Sequence, residues 1–124
     1  MPIKYTVSDD GMFVYAIVEG VLTMEDVHNY GQEISDDNRI KAGFNELFDL
    51  SLMTKSALDQ QDLHRIVELT KANKKMLPTG RLAIVAGRDE SFSNSRYYEK
   101  IVSPLRNVIV FNNVSTARKW LGVD

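Results

Sequence analysis

The stretch MFVYAIVEGVL at residues 12–22, which leads directly into TMED at residues 23–26, decides the fold predicted for this chain. The first segment is rich in β-branched and aromatic side chains at both odd and even positions, which is typical of a strand covered on both faces of a sheet. Thr23 can then cap the free amides of a helix, and Glu25 and Asp26 complement the helix dipole in its first turn. A buried strand followed by a capped helix indicates an α/β fold.

Toward the amino terminus, a shorter alternating run at residues 3–7 stops at Asp9-Asp10-Gly11. Asp-Gly is a turn signature, because glycine adopts a positive φ without steric cost. Two β runs joined in this way predict a hairpin, so we expect the sheet to begin with an antiparallel edge.

Toward the carboxyl terminus, strand and helix patterns alternate. The further predicted strands are residues 44–50, 81–86 and 107–111. Of the three further predicted helices, the first begins at a cap at Ser56 and the second spans residues 91–105. The third begins at a cap at Asn113 and ends at Gly122. The predicted order is ββαβαβαβα, a mostly parallel five-stranded sheet with an antiparallel edge hairpin and four helices.

Length and composition indicate one domain spanning residues 1–124, with 44% hydrophobic residues to form its core. The absence of cysteine excludes disulfides, thiolate nucleophiles and cysteine-based metal sites. The sequence contains neither the apolar segment of a secretory signal nor the run of roughly 18 apolar residues that a membrane-spanning helix needs. We therefore expect a cytoplasmic protein with no integral membrane segment.

Charge is divided unevenly along the chain. The segment through Asp62 has four basic and twelve acidic residues, whereas the segment from Leu63 onward has eleven basic and five acidic residues. Either the surface is dipolar and could steer a partner, or the two halves interleave in the fold; α/β folds favour the second interpretation. The net charge of −2 predicts no nucleic-acid partner.

The sequence predicts no enzyme, no cofactor and no metal. The two histidines, His28 and His64, lack the spacing of metal ligands. The acidic pairs fall in predicted turns, where carboxylates are solvated, so a structural role is favoured over acid–base chemistry. No glycine-rich phosphate-binding motif follows a predicted strand.

Two places in the chain are candidate sites. Asp49 follows the apolar part of a predicted central strand, at the edge where α/β folds place ligands, although it could instead bond to the amides of the following loop. Phe92, Tyr97 and Tyr98 form an aromatic segment in a predicted helix. Adjacent tyrosines do not share one helix face, so we expect at least one of them at an interface or in a pocket.

Several short segments resemble one known family. They are EGVLT at residues 19–23, LFDLS at 47–51, RLAIV at 81–85, and VF at 110–111 followed by ARKWL at 117–121. In these segments and in element order the chain resembles the SpoIIAA-like branch of the STAS family, which has the anti-sigma-factor-antagonist fold. The resemblance covers almost the whole chain, and it implies this fold and a role in protein interaction.

In the signalling members of that family, a strand ending in Asp-Leu-Ser is followed by an Asp-Ser-Ser-Gly type motif in which one serine is phosphorylated. Here Asp49-Leu50-Ser51 matches the first part, but the following LMTKSALD at residues 52–59 contains no Ser-Ser-Gly. By resemblance, the candidate interaction or phosphate-site edge therefore consists of Asp49, Ser51, Thr54 and Ser56.

Two functions remain open at this stage. The first is a non-enzymatic regulatory or protein-interaction module of STAS type, with a protein partner and a homodimeric state. The alternative is a binder or carrier of a small apolar or lipid-like ligand in a cavity between helices and sheet. A cavity of several hundred cubic ångströms would favour the ligand, whereas a solid core with an exposed patch at Tyr97 and Tyr98 would favour the partner.

Overall fold

The computed structural model describes residues 2–73, 75, 80–87 and 90–123. The elements, in chain order, are β1 (Ile3–Val7), β2 (Phe13–Leu22), α1 (Met24–Asp36), β3 (Asn45–Ser56), α2 (Gln60–Ala72), β4 (Arg81–Val85), α3 (Glu90–Val102), β5 (Asn107–Phe111) and α4 (Val114–Leu121).

The five strands form one sheet in the order β1-β2-β3-β4-β5. β1 is antiparallel to β2, and every other neighbouring pair is parallel. This confirms the predicted α/β class, the antiparallel edge hairpin and the element order. None of the helices within the described ranges is long and apolar enough to cross a membrane.

Both faces of the sheet are covered, as the apolar residues of β2 predicted. Helices α1, α2 and α3 pack on one face, where Val14, Ala16 and Val18 of β2 are fully buried. The shorter α4 packs on the other face, where its Ala117 and Leu121 contact the inner strands. A cavity on the first face would therefore lie between the sheet and helices α1, α2 and α3.

Local capping determines where the helices begin. The Thr23 hydroxyl accepts a hydrogen bond from the Asp26 amide, and the Asp26 carboxylate accepts one from the Thr23 amide, so α1 starts with a capping box at the predicted residue. The helix α4 also follows the prediction, with Asn113 as its N-cap and Gly122 in the left-handed region at its end.

The predicted cap of the second helix at Ser56 is wrong. The strand β3 continues to Ser56, which pairs with Leu22 of β2, and the N-cap of α2 is Asp59. Asp59 and Asp62 satisfy each other's amides reciprocally, at 2.8 and 3.1 Å. A capping box satisfies two free donors, whereas the Ser56 hydroxyl accepts only from the Leu58 amide.

The predicted end of the third helix at residue 105 is also wrong, because α3 ends at Val102. Pro104 has no amide hydrogen, and its ring disfavours helical geometry in the residue before it. The helix therefore stops before the proline, and residues 103–106 form a turn that leads into β5.

The strands of the two charged halves do not interleave, contrary to expectation. In the observed sheet no later strand lies between two earlier ones. The acidic half of the sequence thus forms the β1 side of the sheet, and the basic half forms the β5 side. Contacts nevertheless join the two halves: Arg106 pairs with Glu46, and the Lys75 ammonium donates to the Ile34 carbonyl of α1.

Candidate functional site

A cavity of about 300 Å³ lies between the sheet and helices α1, α2 and α3. Much of its wall is aliphatic, and six of these side chains are Leu22, Val27, Leu50, Met53, Leu58 and Ile66. This volume is at the lower end of the range of about 300–1,000 Å³ that is usual for small-molecule sites.

The cavity interrupts the packing around Phe48. This residue lies in β3, between β2 and β4, yet its side chain is only partly buried. Its ring contacts Tyr30 of α1 with a centroid distance of 5.5 Å. Small residues facing the sheet explain the gap: Gly31 and Ser95 line the cavity, and a Cβ added to Gly31 would meet no atom within 4 Å.

One end of the cavity contains a buried ion pair. Arg106 Nη1, just before β5, donates to Glu46 Oε1 of β3 at 2.9 Å, and the two side chains are 2% and 4% exposed. The Tyr30 hydroxyl donates to Glu46 Oε2 at 2.6 Å. The Arg106 guanidinium also lies 6.0 Å from the centre of the Phe44 ring. These contacts hold both charges in the protein interior.

The pair is incompletely satisfied. Arg106 Nε and Nη2 are buried and have no hydrogen-bond partner within the part of the chain that the structure describes. Arg106 nevertheless lines the cavity. Buried donors are almost always paired in proteins, so these two N–H-bearing atoms mark a place where an acceptor is expected.

Two tyrosines beside the ion pair remain neutral. Burial raises the pKa of Tyr30 well above its ordinary value of 10.0, and the charge of Glu46 raises it further. Burial also raises the pKa of Tyr98, although the positive charge of Arg106 acts in the opposite direction. Both phenols therefore act as neutral hydrogen-bonding groups at physiological pH.

The cavity has a charged pair at one end and apolar side chains of β3 beyond it. Glu46, Phe48 and Leu50 lie at alternate positions of β3 and share the face that lines the cavity, with a spacing of about 6.6 Å between successive members. The ion pair marks the end near the amino termini of the parallel strands. Beyond the ion pair, β3 contributes the apolar Phe48, Leu50 and Met53, and polar side chains such as Ser56 and Asn94 also line the wall. This arrangement suits a ligand with a polar head and an apolar body.

The structure places Asp49 outside the cavity. Leu47, two residues before it on β3, packs with the α4 layer, so Asp49 lies on the face away from the cavity. Its buried carboxylate accepts hydrogen bonds from the Tyr15 hydroxyl at 2.8 Å and the Ser51 amide at 2.9 Å. Burial and this bond raise the pKa of Tyr15 to about 12. The contacts match the structural alternative, in which Asp49 bonds to nearby groups.

The other residues of the candidate edge are not brought together with Asp49. Ser51 and Thr54 are exposed on β3, whereas Ser56 is partly buried and lines the cavity on the opposite face from Asp49. Since the N-cap of α2 is Asp59, a phosphate on Ser56 would not sit at the capping position of the helix.

The aromatic segment is divided between two environments. Tyr98 is buried and lines the cavity. Tyr97 is partly exposed, and its hydroxyl lies 2.9 Å from His64 Nε2. Phe92 is half-buried against the main core. Tyr97 and Tyr98 therefore do not form one exposed patch.

Sequence reasoning missed Glu46, Arg106 and Tyr30. One signal was present: in FNELF at residues 44–48, Glu46 stands between apolar residues of a predicted buried strand. Glutamate is rarely buried without a partner, so its position predicts a buried cation or donor. No local pattern identifies Arg106 as that cation, because it lies 60 residues away.

No family model matches the chain, and no curated protein matches it either. Several solved structures resemble it, including the following two. One is an uncharacterised protein of the DUF3478 family with a SpoIIAA-like fold from Shewanella loihica PV-4, at 19% identity and a TM-score of 0.61, covering 96% of this chain and 91% of that chain. The other is the anti-sigma factor antagonist SpoIIAA in its unphosphorylated form, at 10% identity and a TM-score of 0.58, covering 98% and 99%. This chain therefore has the SpoIIAA-like fold that its sequence resemblance implied.

Proposed function

We propose that this chain is a non-enzymatic binding module of SpoIIAA-like fold that holds a small, largely apolar ligand in the cavity between the sheet and α1–α3. The observation that carries the proposal is the 300 Å³ cavity, which leaves Phe48 of an inner strand partly exposed. Tyr98 is buried in the cavity wall and does not form an exposed patch with Tyr97, which also favours ligand binding over protein binding. The single-domain organisation and the cytoplasmic location remain predictions.

The energetics favour occupancy by an apolar group. The cavity has room for about ten water-sized groups, since one water occupies about 30 Å³ of liquid. Each methylene moved from water into such a site contributes about 0.8 kcal/mol. A chain of about seven methylenes would contribute about 6 kcal/mol, against which the loss of its own freedom counts.

Filling the cavity should abolish this binding. We expect Met53→Trp to lower the affinity for methyl octanoate at least tenfold, because Met53 lines the cavity and the indole would occupy ligand space. Leu52→Trp is the matched control, since Leu52 is 57% exposed and lies outside the cavity lining. Calorimetric titration measures both affinities. Equal affinities in the two variants would contradict a ligand site in this cavity.

Native mass spectrometry provides an independent test of the ligand. The protein is purified without denaturation from the cells that produce it naturally, and its mass is compared before and after unfolding. We expect an adduct of lipid-like mass that is lost on unfolding. An unmodified mass together with a failure to bind methyl octanoate would argue against the proposed function.

A second candidate function, protein binding, is favoured by a different feature. β2 and β3 remain paired as far as Leu22 and Ser56, but β3 pairs with β4 only up to Asp49. Residues 51–56 therefore present a free strand edge within the described part of the chain. We call this edge, together with residues 19–22, the strand extension. Its large apolar side chains Val21 and Leu52 are 47% and 57% exposed.

The occupant we propose for the strand extension is a second copy of the chain. A free edge offers amides and carbonyls that another strand can pair with. The uneven division of acidic and basic residues along the sequence would favour the approach of an oppositely oriented copy. Under this proposal Ser51 and Thr54 lie in the interface, because both are exposed on the same edge strand.

A charge on the strand extension should dissociate such a dimer. We expect Leu52→Asp to shift the sedimentation profile from dimer to monomer, since a carboxylate would be desolvated in the interface. Met12→Asp is the control, because Met12 is also exposed but precedes β2 at its opposite end. A monomeric wild-type protein, or a dimer unaffected by Leu52→Asp, would contradict the proposal.

A further inference from the structure

The ion pair at the polar end of the cavity gives information about the ligand itself. Arg106 uses Nη1 to bind Glu46, while its buried Nε and Nη2 have no partner in the described residues. An unmade hydrogen bond to a buried charged group is costly. An acceptor that enters the cavity at this end would remove that cost.

The charge balance determines which acceptor fits. Arg106 and Glu46 neutralise each other at 2.9 Å, and Tyr30 adds a neutral hydroxyl to the same cluster. A ligand carboxylate or phosphate would bring a second negative charge into a site whose lining, among the described residues, includes one cation, Arg106. Burying an uncompensated charge is far more costly than burying a neutral polar group that is hydrogen-bonded.

We propose that the ligand carries a neutral oxygen acceptor, of the kind found in an ester, ketone or amide carbonyl, and that this oxygen binds Nε and Nη2 of Arg106. The rest of the ligand is an apolar chain that runs past Phe48 and Leu50 toward Met53. This inference rests on the proposed function, because it names the class of molecule that the cavity holds.

The dimensions of the cavity agree with a short chain. The five strand residues from Glu46 to Leu50 are separated by four steps of about 3.3 Å and so span about 13 Å. The volume accommodates about ten water-sized groups. An ester or ketone with about that number of non-hydrogen atoms therefore reaches from the ion pair to the apolar side chains of β3. The adjacent N–H groups of Nε and Nη2 lie on one edge of the guanidinium and can both donate to a single carbonyl oxygen.

The test compares three ligands that have the same number of non-hydrogen atoms: methyl octanoate, nonanoate and n-undecane. We expect the ester to bind the wild-type protein about tenfold or more tightly than either of the others, because a hydrogen bond to a charged donor contributes at least that factor. Chemical-shift titration of the methyl groups that line the cavity gives the affinities and locates the ligand.

Two variants test the hydrogen bond between the ligand oxygen and Arg106. Arg106→Lys keeps the charge beside Glu46 but removes the guanidinium edge, so the ester should lose its advantage over n-undecane. Glu46→Gln keeps an acceptor for Arg106 but removes the negative charge. The site then contains an uncompensated cation, and we expect the preference to change from the ester to nonanoate. Circular dichroism verifies that each variant is folded. If a variant is unfolded, the comparison of the three ligands on the wild-type protein still tests the proposal.

The outcomes separate the two levels of the proposal. Equal affinities of the ester and n-undecane for the wild-type protein would overturn the proposed hydrogen bond to Arg106. The proposal of an apolar ligand site would still be supported. Tightest binding of nonanoate to the wild-type protein would overturn the choice of a neutral acceptor. If none of the three ligands binds, the proposed function fails together with the inference.

Discussion

Replacing Glu46 by alanine is expected to lower the free energy of unfolding by about 3–5 kcal/mol, because it leaves a buried guanidinium without its counter-charge. Glu46 and Arg106 are 4% and 2% exposed at their side chains, so water does not readily replace the lost partner. The Tyr30 hydroxyl loses its acceptor at the same time. Urea unfolding monitored by circular dichroism measures the change.

The control for this prediction removes the whole cluster. In the variant Tyr30→Phe/Glu46→Leu/Arg106→Met, each polar group is replaced by an apolar one of comparable size, and no charge or donor of the three side chains stays buried. Replacing buried ion pairs in this way is often neutral or stabilising. We therefore expect the triple variant to be more stable than Glu46→Ala. If Glu46→Ala costs less than about 1 kcal/mol, the pair is effectively solvated and the argument from burial fails.

A ligand-binding role would explain why the polar cluster is present. An apolar cluster would fold at least as well, so stability alone gives little reason for a buried ion pair with two free donors. The triple variant should accordingly keep its fold and lose the preference for the ester over n-undecane. This separates the contribution of the cluster to binding from its contribution to folding.

Replacing Gly11 by alanine is expected to lower the free energy of unfolding by about 3 kcal/mol, from a positive φ that costs roughly 1–2 kcal/mol and overpacking that costs roughly 1–3 kcal/mol. Gly11 has a φ of +73°, and a Cβ built on it would lie 2.2 Å from the carbonyl oxygen of Arg39. The obstacle is backbone, which cannot rotate away. The Lys41 amide also donates to the Gly11 carbonyl at 2.9 Å, so a shift would break this contact.

The matched control is Gly20→Ala. Gly20 has a nearly identical φ of +75°, but a Cβ there would meet no atom within 4 Å. Only the conformational cost of about 1–2 kcal/mol applies. Thermal unfolding of the two variants isolates the steric contribution. Equal losses of stability in the two variants would mean that the turn after β1 and the segment at Arg39 can move apart without a cost in free energy.

Short-range patterns predicted most of the elements. The Asp-Gly turn indicated the hairpin, Thr23 and Asn113 indicated helix starts, and the apolar run at residues 107–111 matched β5 residue for residue. Each of these signals depends on neighbours within a few residues. The same reasoning was wrong at Ser56, because two capping residues lay three positions apart and only the reciprocal pair of Asp59 with Asp62 satisfies both amides.

The sequence by itself determined the class of fold, since periodicity and caps define elements and alternating elements define an α/β sheet. The tertiary structure alone decided the cavity and its polar end. Glu46 and Arg106 meet because β3 and β5 flank β4 in the parallel part of the sheet, although 60 residues of sequence separate them. The size of the gap around Phe48 likewise depends on how three helices pack against the sheet. A sequence pattern reports that a side chain is buried, whereas the atoms it contacts are determined by the packing of distant elements.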